Sequence, residues 1–227
     1  DPIAFLLTDS AKDTDIELKI IKQKQLRQAI VLGATTCLVA VSLTTLIGSM
    51  SRQANLTVAA EKISNGDLKG ANQDYEKIIK AEPSNWRAYM GHANTMPLGS
   101  AERMSDYKKV LELKPDELTA AMAIAKSYFD LKEYSKAVEA AEKAIAIDRS
   151  SPEPLKLKGQ AQLRLLRFEQ AVETLKKAMP LDTRHADEIS FMIANCYRDM
   201  RQQKNQLAYL NKAIEITPNN PVYLKDR

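Results

Sequence analysis

Hydrophobic and polar residues follow the period of an amphipathic helix along most of this chain, except in one stretch near the N-terminus where charge disappears. From Ala29 to Gly48 no residue is charged, and 24 uncharged residues separate Arg27 from Arg52. At about 1.5 Å of rise per residue, a helix of that length crosses the roughly 30 Å hydrocarbon core of a bilayer. A helix also satisfies its own backbone hydrogen bonds, which lipid cannot do. The pattern predicts a transmembrane helix over residues 29–50. A signal peptide would have a shorter apolar run behind a short basic start. Here 28 mostly polar residues come first, and no small-x-small cleavage site follows Gly48.

Lys12, Lys19, Lys22, Lys24 and Arg27 precede the span, whereas Arg52 and Lys62 are the basic residues shortly after it. The positive-inside rule places residues 1–28 in the cytoplasm or its organellar equivalent. The C-terminal body is then periplasmic or, across a thylakoid-type membrane, lumenal. Residues 13–27 contain no Pro or Gly, so this segment is expected to be helical. Within the span, Ala29, Gly33 and Cys37 are spaced four apart and share a face. Small residues let membrane helices approach closely. The span is either a plain single anchor or a helix that packs against other membrane helices.

Beyond the span the pattern repeats. Ala125, Gly159 and Ala194 recur at intervals of 34 and 35, Ala137 and Ala171 at 34, and Ala144, Ala178 and Ala213 at 34 and 35. Each unit ends in a similar phrase, IIKAEP, VLELKP, AIAIDR, AMPLDT and AIEITP. Within a unit two amphipathic helices are expected, as in Leu118 to Leu131 and Tyr134 to Ile147 joined at Lys132 and Glu133. Alanine stands where two helices cross, and Tyr128 and Tyr134 fill the space beside it. A proline after the second helix stops it, because proline cannot continue the hydrogen-bond ladder.

These spacings resemble the tetratricopeptide repeat family over about residues 52–218. Residues 118–151 fit best, through Ala125, Tyr128, Tyr134, Ala137 and Ala144. Residues 52–85 fit through Ala59, Gly66, Asp67, Ala71, Tyr75 and Pro83. Residues 152–185 fit through Gly159, Phe168, Ala171 and Ala178, and residues 186–220 through Ala194, Tyr197, Ala213 and Pro218. The unit 86–117 keeps Trp86, Tyr89, Ala93, Tyr107 and Pro115 but is two residues short. Its turn from Thr95 to Ser100 holds Pro97 and Gly99, and Arg103 stands where a small residue is expected. Residues 221–227 begin a further or capping helix. The expected fold class is therefore all-α, a transmembrane helix followed by an α-solenoid of about five helix pairs.

The resemblance implies that the first helix of each pair lines a concave, protein-binding face. That face would carry Arg87, Met90 and Asn94, then Met122, Lys126 and Phe129, then Lys156, Gln160, Leu163 and Arg164, and finally Phe191, Asn195 and Arg198. This mixture of cations, amides and apolar groups suits an extended or helical peptide with some acidic character. Methionines adapt to varied ligand shapes. The convex face or a terminal helix is the alternative contact surface. Family members that clamp a chaperone C-terminus use Lys and Asn at fixed places. Here Asn94 matches, but Met90 and Ala123 occupy two of those places, so that role is not expected.

Composition adds little to this picture and removes several alternatives. Basic and acidic residues number 33 and 29, for a net charge of +4, with the signs interspersed. That is a solvated helical surface rather than a nucleic-acid footprint. Cys37 falls in the apolar run and cannot pair with Cys196 in a soluble domain, so no disulfide framework is expected. His92 and His185 stand in different repeats without a ligand partner at i+3 or i+4. Gly66 to Gly70 marks a helix turn, not a phosphate loop. No catalytic, metal or cofactor site is expected, and the chain is not expected to be an enzyme.

The functional expectation is a membrane-anchored scaffold that binds proteins or peptides, as an assembly or stabilising factor for a membrane complex. Two alternatives stand beside it. One is a permanent accessory subunit held through its transmembrane helix. The other is a tethered receptor for extracytoplasmic peptides.

Overall fold

The computed structural model describes residues 53–226, together with isolated helical positions between 23 and 51. The expected segments 1–28 and 29–50, including Ala29, Gly33 and Cys37, otherwise lie outside the described residues. Among the described residues no helix is long and apolar enough to cross a membrane. The chain divides into two units, residues 1–55 and 56–227, and the second carries the repeats.

The second unit is all-helical among the described residues. Its first helix, α1, covers 56–64 within the unit. Then come α2 (Leu68–Ala81), α3 (Trp86–Thr95), α4 (Ala101–Leu113), α5 (Leu118–Asp130), α6 (Tyr134–Ile147), α7 (Pro152–Arg164), α8 (Phe168–Ala178), α9 (Ala186–Asp199), α10 (Gln203–Ile216) and α11 (Pro221–Asp226). Each helix packs on its sequence neighbours, and next-but-one contacts join α5 to α7 and α7 to α9. The result is a solenoid of helix pairs, in which each pair buries its apolar stripe against the next.

The turn inside each pair is set by one residue in the left-handed region. These residues are Gly66, Gly99, Lys132, Leu166 and Arg201, with φ of 81°, 78°, 61°, 59° and 59°. Four of the five turns close by the same pair of backbone bonds. After α5, for example, Lys132 N–H donates to Phe129 O at 2.9 Å and Glu133 N–H to Tyr128 O at 2.9 Å. This double closure satisfies helix-end carbonyls that would otherwise be orphaned. Glycine holds the left-handed position only in the first two pairs, and of the four doubly closed turns only that at Gly66 uses it.

Close crossing depends on missing side chains. Gly91 of α3 lies against Tyr75 of α2, and a Cβ there would run into the tyrosine ring. Gly159 of α7 would bring its Cβ within 2.7 Å of the Leu175 side chain of α8. Both partners are buried and have nowhere to move. Ala125 and Ala194 hold the same place in α5 and α9 and are themselves buried. Buried clusters therefore succeed one another along the array, from Ala59, Ala71, Tyr75, Ile78 and Ala88 to Ala194, Leu210, Ala213 and Tyr223.

The short pair α3–α4 is repaired locally. The Arg103 guanidinium donates to the Met96 carbonyl at 2.9 Å and lies over the Tyr107 ring, 5.5 Å from its centroid. The residue that displaces the expected small side chain thus satisfies the loop between the two helices.

At the far end, α11 packs back on α9. Tyr223 packs on Phe191 with ring centroids 4.9 Å apart and planes tilted by 40°, and its hydroxyl donates to Asp187 at 3.2 Å. Thr217 donates to the same carboxylate at 2.7 Å.

Two substitutions test these contacts by urea unfolding. Leu166 is 72% exposed, so Leu166→Gly relieves the left-handed strain at small packing cost. It is expected to stabilise the unit by about 0.5–1 kcal/mol, with Leu166→Ala giving no comparable gain. Gly91→Ala overpacks a site that cannot relax and is expected to cost about 1–3 kcal/mol.

Candidate protein-binding groove

The contacts of α7 with α5 and α9 bring three successive first helices side by side. They enclose an open groove of about 410 Å³, lined by Phe129, Gln160, Leu163, Arg164, Met192, Asn195, Arg198 and Asp199. Helical spacing puts each set on one face. Gln160, Leu163 and Arg164 stand at i, i+3 and i+4, and Met192, Asn195 and Asp199 at i, i+3 and i+7.

The groove lining is mixed, with Phe129, Leu163 and Met192 set among five polar or charged side chains. Phe129 meets Tyr134 edge-on, with centroids 5.4 Å apart. The Gln160 amide points to the Met192 sulfur at 3.5 Å. Gln160 and Asn195 each carry donors and acceptors that match a peptide backbone. The cations differ in state. Arg198 is shared between Asp226 of α11 at 3.2 Å and Asp199 at 3.4 Å. Arg164 is exposed and makes no ion pair among the described residues, so it is the cation left for a ligand.

Six residues expected on this face from the sequence thus meet in one groove: Phe129, Gln160, Leu163, Arg164, Asn195 and Arg198. Met192 and Asp199 join them. Both were legible from the same periodicity, lying three before and four after Asn195.

The other expected residues are placed elsewhere. Lys156 pairs with Asp182 at 2.5 Å, with both side chains largely buried, and so ties α7 to the loop before α9. Phe191 lies under Tyr223 and serves the end cap. Met90 packs against the core of the second and third pairs. Arg87 lies over the Trp86 ring, 4.6 Å from its centroid. Asn94 accepts the Tyr107 hydroxyl at 2.9 Å. Met122 is half-buried and Lys126 exposed, and neither lines this groove.

The remaining chemistry-bearing residues are held by neighbours. His92 Nδ1 is 2.7 Å from Asp106 Oδ2, between α3 and α4. Burial raises the Asp106 pKa against the pull of that histidine. His185 caps the start of α9 beside Asp182, at 2.9 Å. Cys196 is buried, and burial pushes its thiol up to about 11. Among the described residues no cluster of three or more His, Cys, Asp or Glu is placed to hold a metal.

The unit is an all-α solenoid of tetratricopeptide-like helix pairs, and comparison with known proteins supports the tetratricopeptide repeat family for it. Residues 187–220 match the tetratricopeptide repeat family itself. Residues 101–178 match the family of the anaphase-promoting complex (cyclosome) subunit 3. Among solved structures, the chain resembles MamA protein at 20% identity and a TM-score of 0.67, covering 72% of this chain and 90% of that one. It resembles MamA from Desulfovibrio magneticus RS-1 at 16% identity and a TM-score of 0.67, covering 75% and 97%. It also resembles YrrB, described as a TPR protein with an unusual peptide-binding site, at 18% identity and a TM-score of 0.67, covering 75% and 89%. At these identities the likeness is one of fold.

The Lys156–Asp182 pair gives a pH test. The Lys156 ammonium beside Asp182 holds its carboxyl at about 2, below the ordinary carboxylate range. A depressed carboxylate contributes stability that is present above its unfolded pKa and lost as pH falls toward the folded value. Lys156→Met should cost about 1–3 kcal/mol at pH 7, because it removes the cation from a largely buried carboxylate and leaves it only its His185 contacts. The gap between wild type and variant should narrow as pH drops from about 4 toward about 2, read by urea unfolding across that range.

Proposed function

We propose that this chain is a membrane-anchored scaffold that holds a segment of a protein partner in the groove of α5, α7 and α9, as an assembly or stabilising factor for a membrane complex. The observation that carries this reading is the convergence of Phe129, Leu163 and Met192 with Gln160, Asn195 and an unpaired Arg164 in one open groove. Three apolar side chains set among amide and charged groups let one site hold a side chain and read a backbone together. The segment it fits is extended or helical. One apolar side chain rests on Phe129 and Met192, the backbone is read by the two amides, and an acidic group meets Arg164. The likeness of the fold to YrrB, whose structure is described as having a peptide-binding site, supports the same use of the solenoid.

The anchor in this proposal is the uncharged run from Ala29 to Gly48. The basic residues ahead of it put the N-terminus in the cytoplasm and the solenoid in the periplasm or lumen. A second reading, a permanent accessory subunit, is favoured by the small-residue spacing of Ala29, Gly33 and Cys37, which suits helix packing in lipid.

The test is a pull-down of the tagged full chain in mild detergent, with quantified stoichiometry, beside an Arg164→Glu/Asn195→Ala variant. Neither residue is buried, so the variant is expected to fold. Partners recovered below equal ratio should fall about tenfold or more with the variant. A fixed-ratio complex that survives the variant would make the chain a structural subunit instead. Recovery of the bait alone would overturn both.

A further inference from the structure

A second cleft, lined by other residues than the groove, lies between α4 and α6, with a volume of about 530 Å³. Its apolar lining comes from the half-buried Leu111 of α4 and Tyr128 of α5, with Ala121 and Ile124 of α5, themselves buried, at its base. Its walls are the second helices of two successive pairs. Lys108, Leu111 and Glu112 stand on α4, and Lys136, Glu139, Ala140 and Lys143 on α6. On α6 these positions follow i, i+3, i+4 and i+7, so the wall runs two helical turns, about 10 Å.

The cleft is open because of three residues, as the repeat itself shows. Thirty-four residues on from Ala121 stands Leu155, and thirty-four further Ile189. Both are buried and fill the matching space at the next two junctions. Thirty-four residues on from Ile124 stands Lys158, and from Lys108 stands Glu142. Those two pair at 2.8 Å and bridge the next junction. At the α4–α5–α6 junction the large apolar residue is an alanine, the bridging cation is an isoleucine, and Lys108 is left without an acidic partner among the described residues. One junction therefore lacks both its filler and its bridge, and has an apolar base in their place.

The rim charges narrow the occupant. Glu112 is engaged by Lys109 at 2.8 Å and Lys136 by Glu133 at 2.5 Å. Lys108 and Lys143, on opposite walls, make no ion pair among the described residues, against a single unpaired carboxylate, Glu139. The walls are helices whose backbone groups bond internally, so an extended strand would find no backbone partners here. A helix brings its own hydrogen bonds and offers a ridge of side chains to a groove between helices.

We propose that the α4–α6 cleft receives an amphipathic helical segment of a protein partner, with aliphatic side chains at i and i+3 or i+4 against Leu111 and Tyr128 over the buried Ala121 and Ile124, and carboxylates toward Lys108 and Lys143. This site is distinct from the groove of α5, α7 and α9 and does not depend on it.

The experiment selects from a displayed library of helical peptides against the full chain in detergent, then measures each recovered peptide by fluorescence anisotropy. Three variants are compared with wild type: Ala121→Leu, Lys108→Glu/Lys143→Glu and Arg164→Glu. Ala121→Leu copies the residue of the following repeat, and circular dichroism checks its fold. The charge variant alters only the rim and stands as an independent test should Ala121→Leu unfold. The expected peptides carry an aliphatic stripe with flanking Asp or Glu. They should bind about tenfold or more weakly to each of the first two variants and unchanged to Arg164→Glu. Recovery of no such peptide, indifference to both cleft variants, or loss with Arg164→Glu would overturn the proposal. So would self-association of wild type that Ala121→Leu abolishes, since that would assign the cleft to a second copy of this chain.

Discussion

The solenoid depends on close approach between helices at positions where the sequence withholds a side chain. Gly91 faces a tyrosine ring and Gly159 a buried leucine, and neither site has room for a single further carbon. Ala125 and Ala194 stand at the same place in their repeats and are buried. Each crossing sets the separation and angle of its pair, and the next pair then packs on the ridge so formed. The position of α7 between α5 and α9, and so the groove itself, follows from this constraint. Small residues here are not fillers of leftover space but the condition for the large ones to interlock.

Most of this architecture was legible in the amino-acid sequence, because a small residue every 34 positions has few other physical meanings. The helix pairs, the crossing alanines and the terminal helix all follow from period and punctuation. The turns were only half legible. Gly66 and Gly99 announce a left-handed residue, whereas Lys132, Leu166 and Arg201 adopt the same φ with nothing in their chemistry to signal it. There the backbone bonds of the helix end override local preference.

Side-chain roles were harder to read than positions. Helical period placed Phe129, Gln160, Leu163, Arg164, Asn195 and Arg198 on the first-helix face, and they meet there. Period alone could not show that Lys156, on the same helix as Gln160, is engaged by Asp182 from a loop 26 residues later. Nor could it show that Phe191 belongs to the cap. Both depend on what lies across the junction, which one repeat does not specify. The cleft between α4 and α6 was missed for a related reason. It is defined by what Ala121 and Ile124 lack relative to Leu155 and Lys158, a comparison that carries weight only once the junctions are known to be equivalent.

Because each helix leans only on its near neighbours, tension applied along the solenoid passes through its junctions in series rather than being shared among them. The array then behaves as a spring whose compliance is set by its softest coil. The junction of α4, α5 and α6 has neither the buried aliphatic filler nor the ion-pair strut of its successor. On that footing extension would reach this junction before the junction of α6, α7 and α8, which has both.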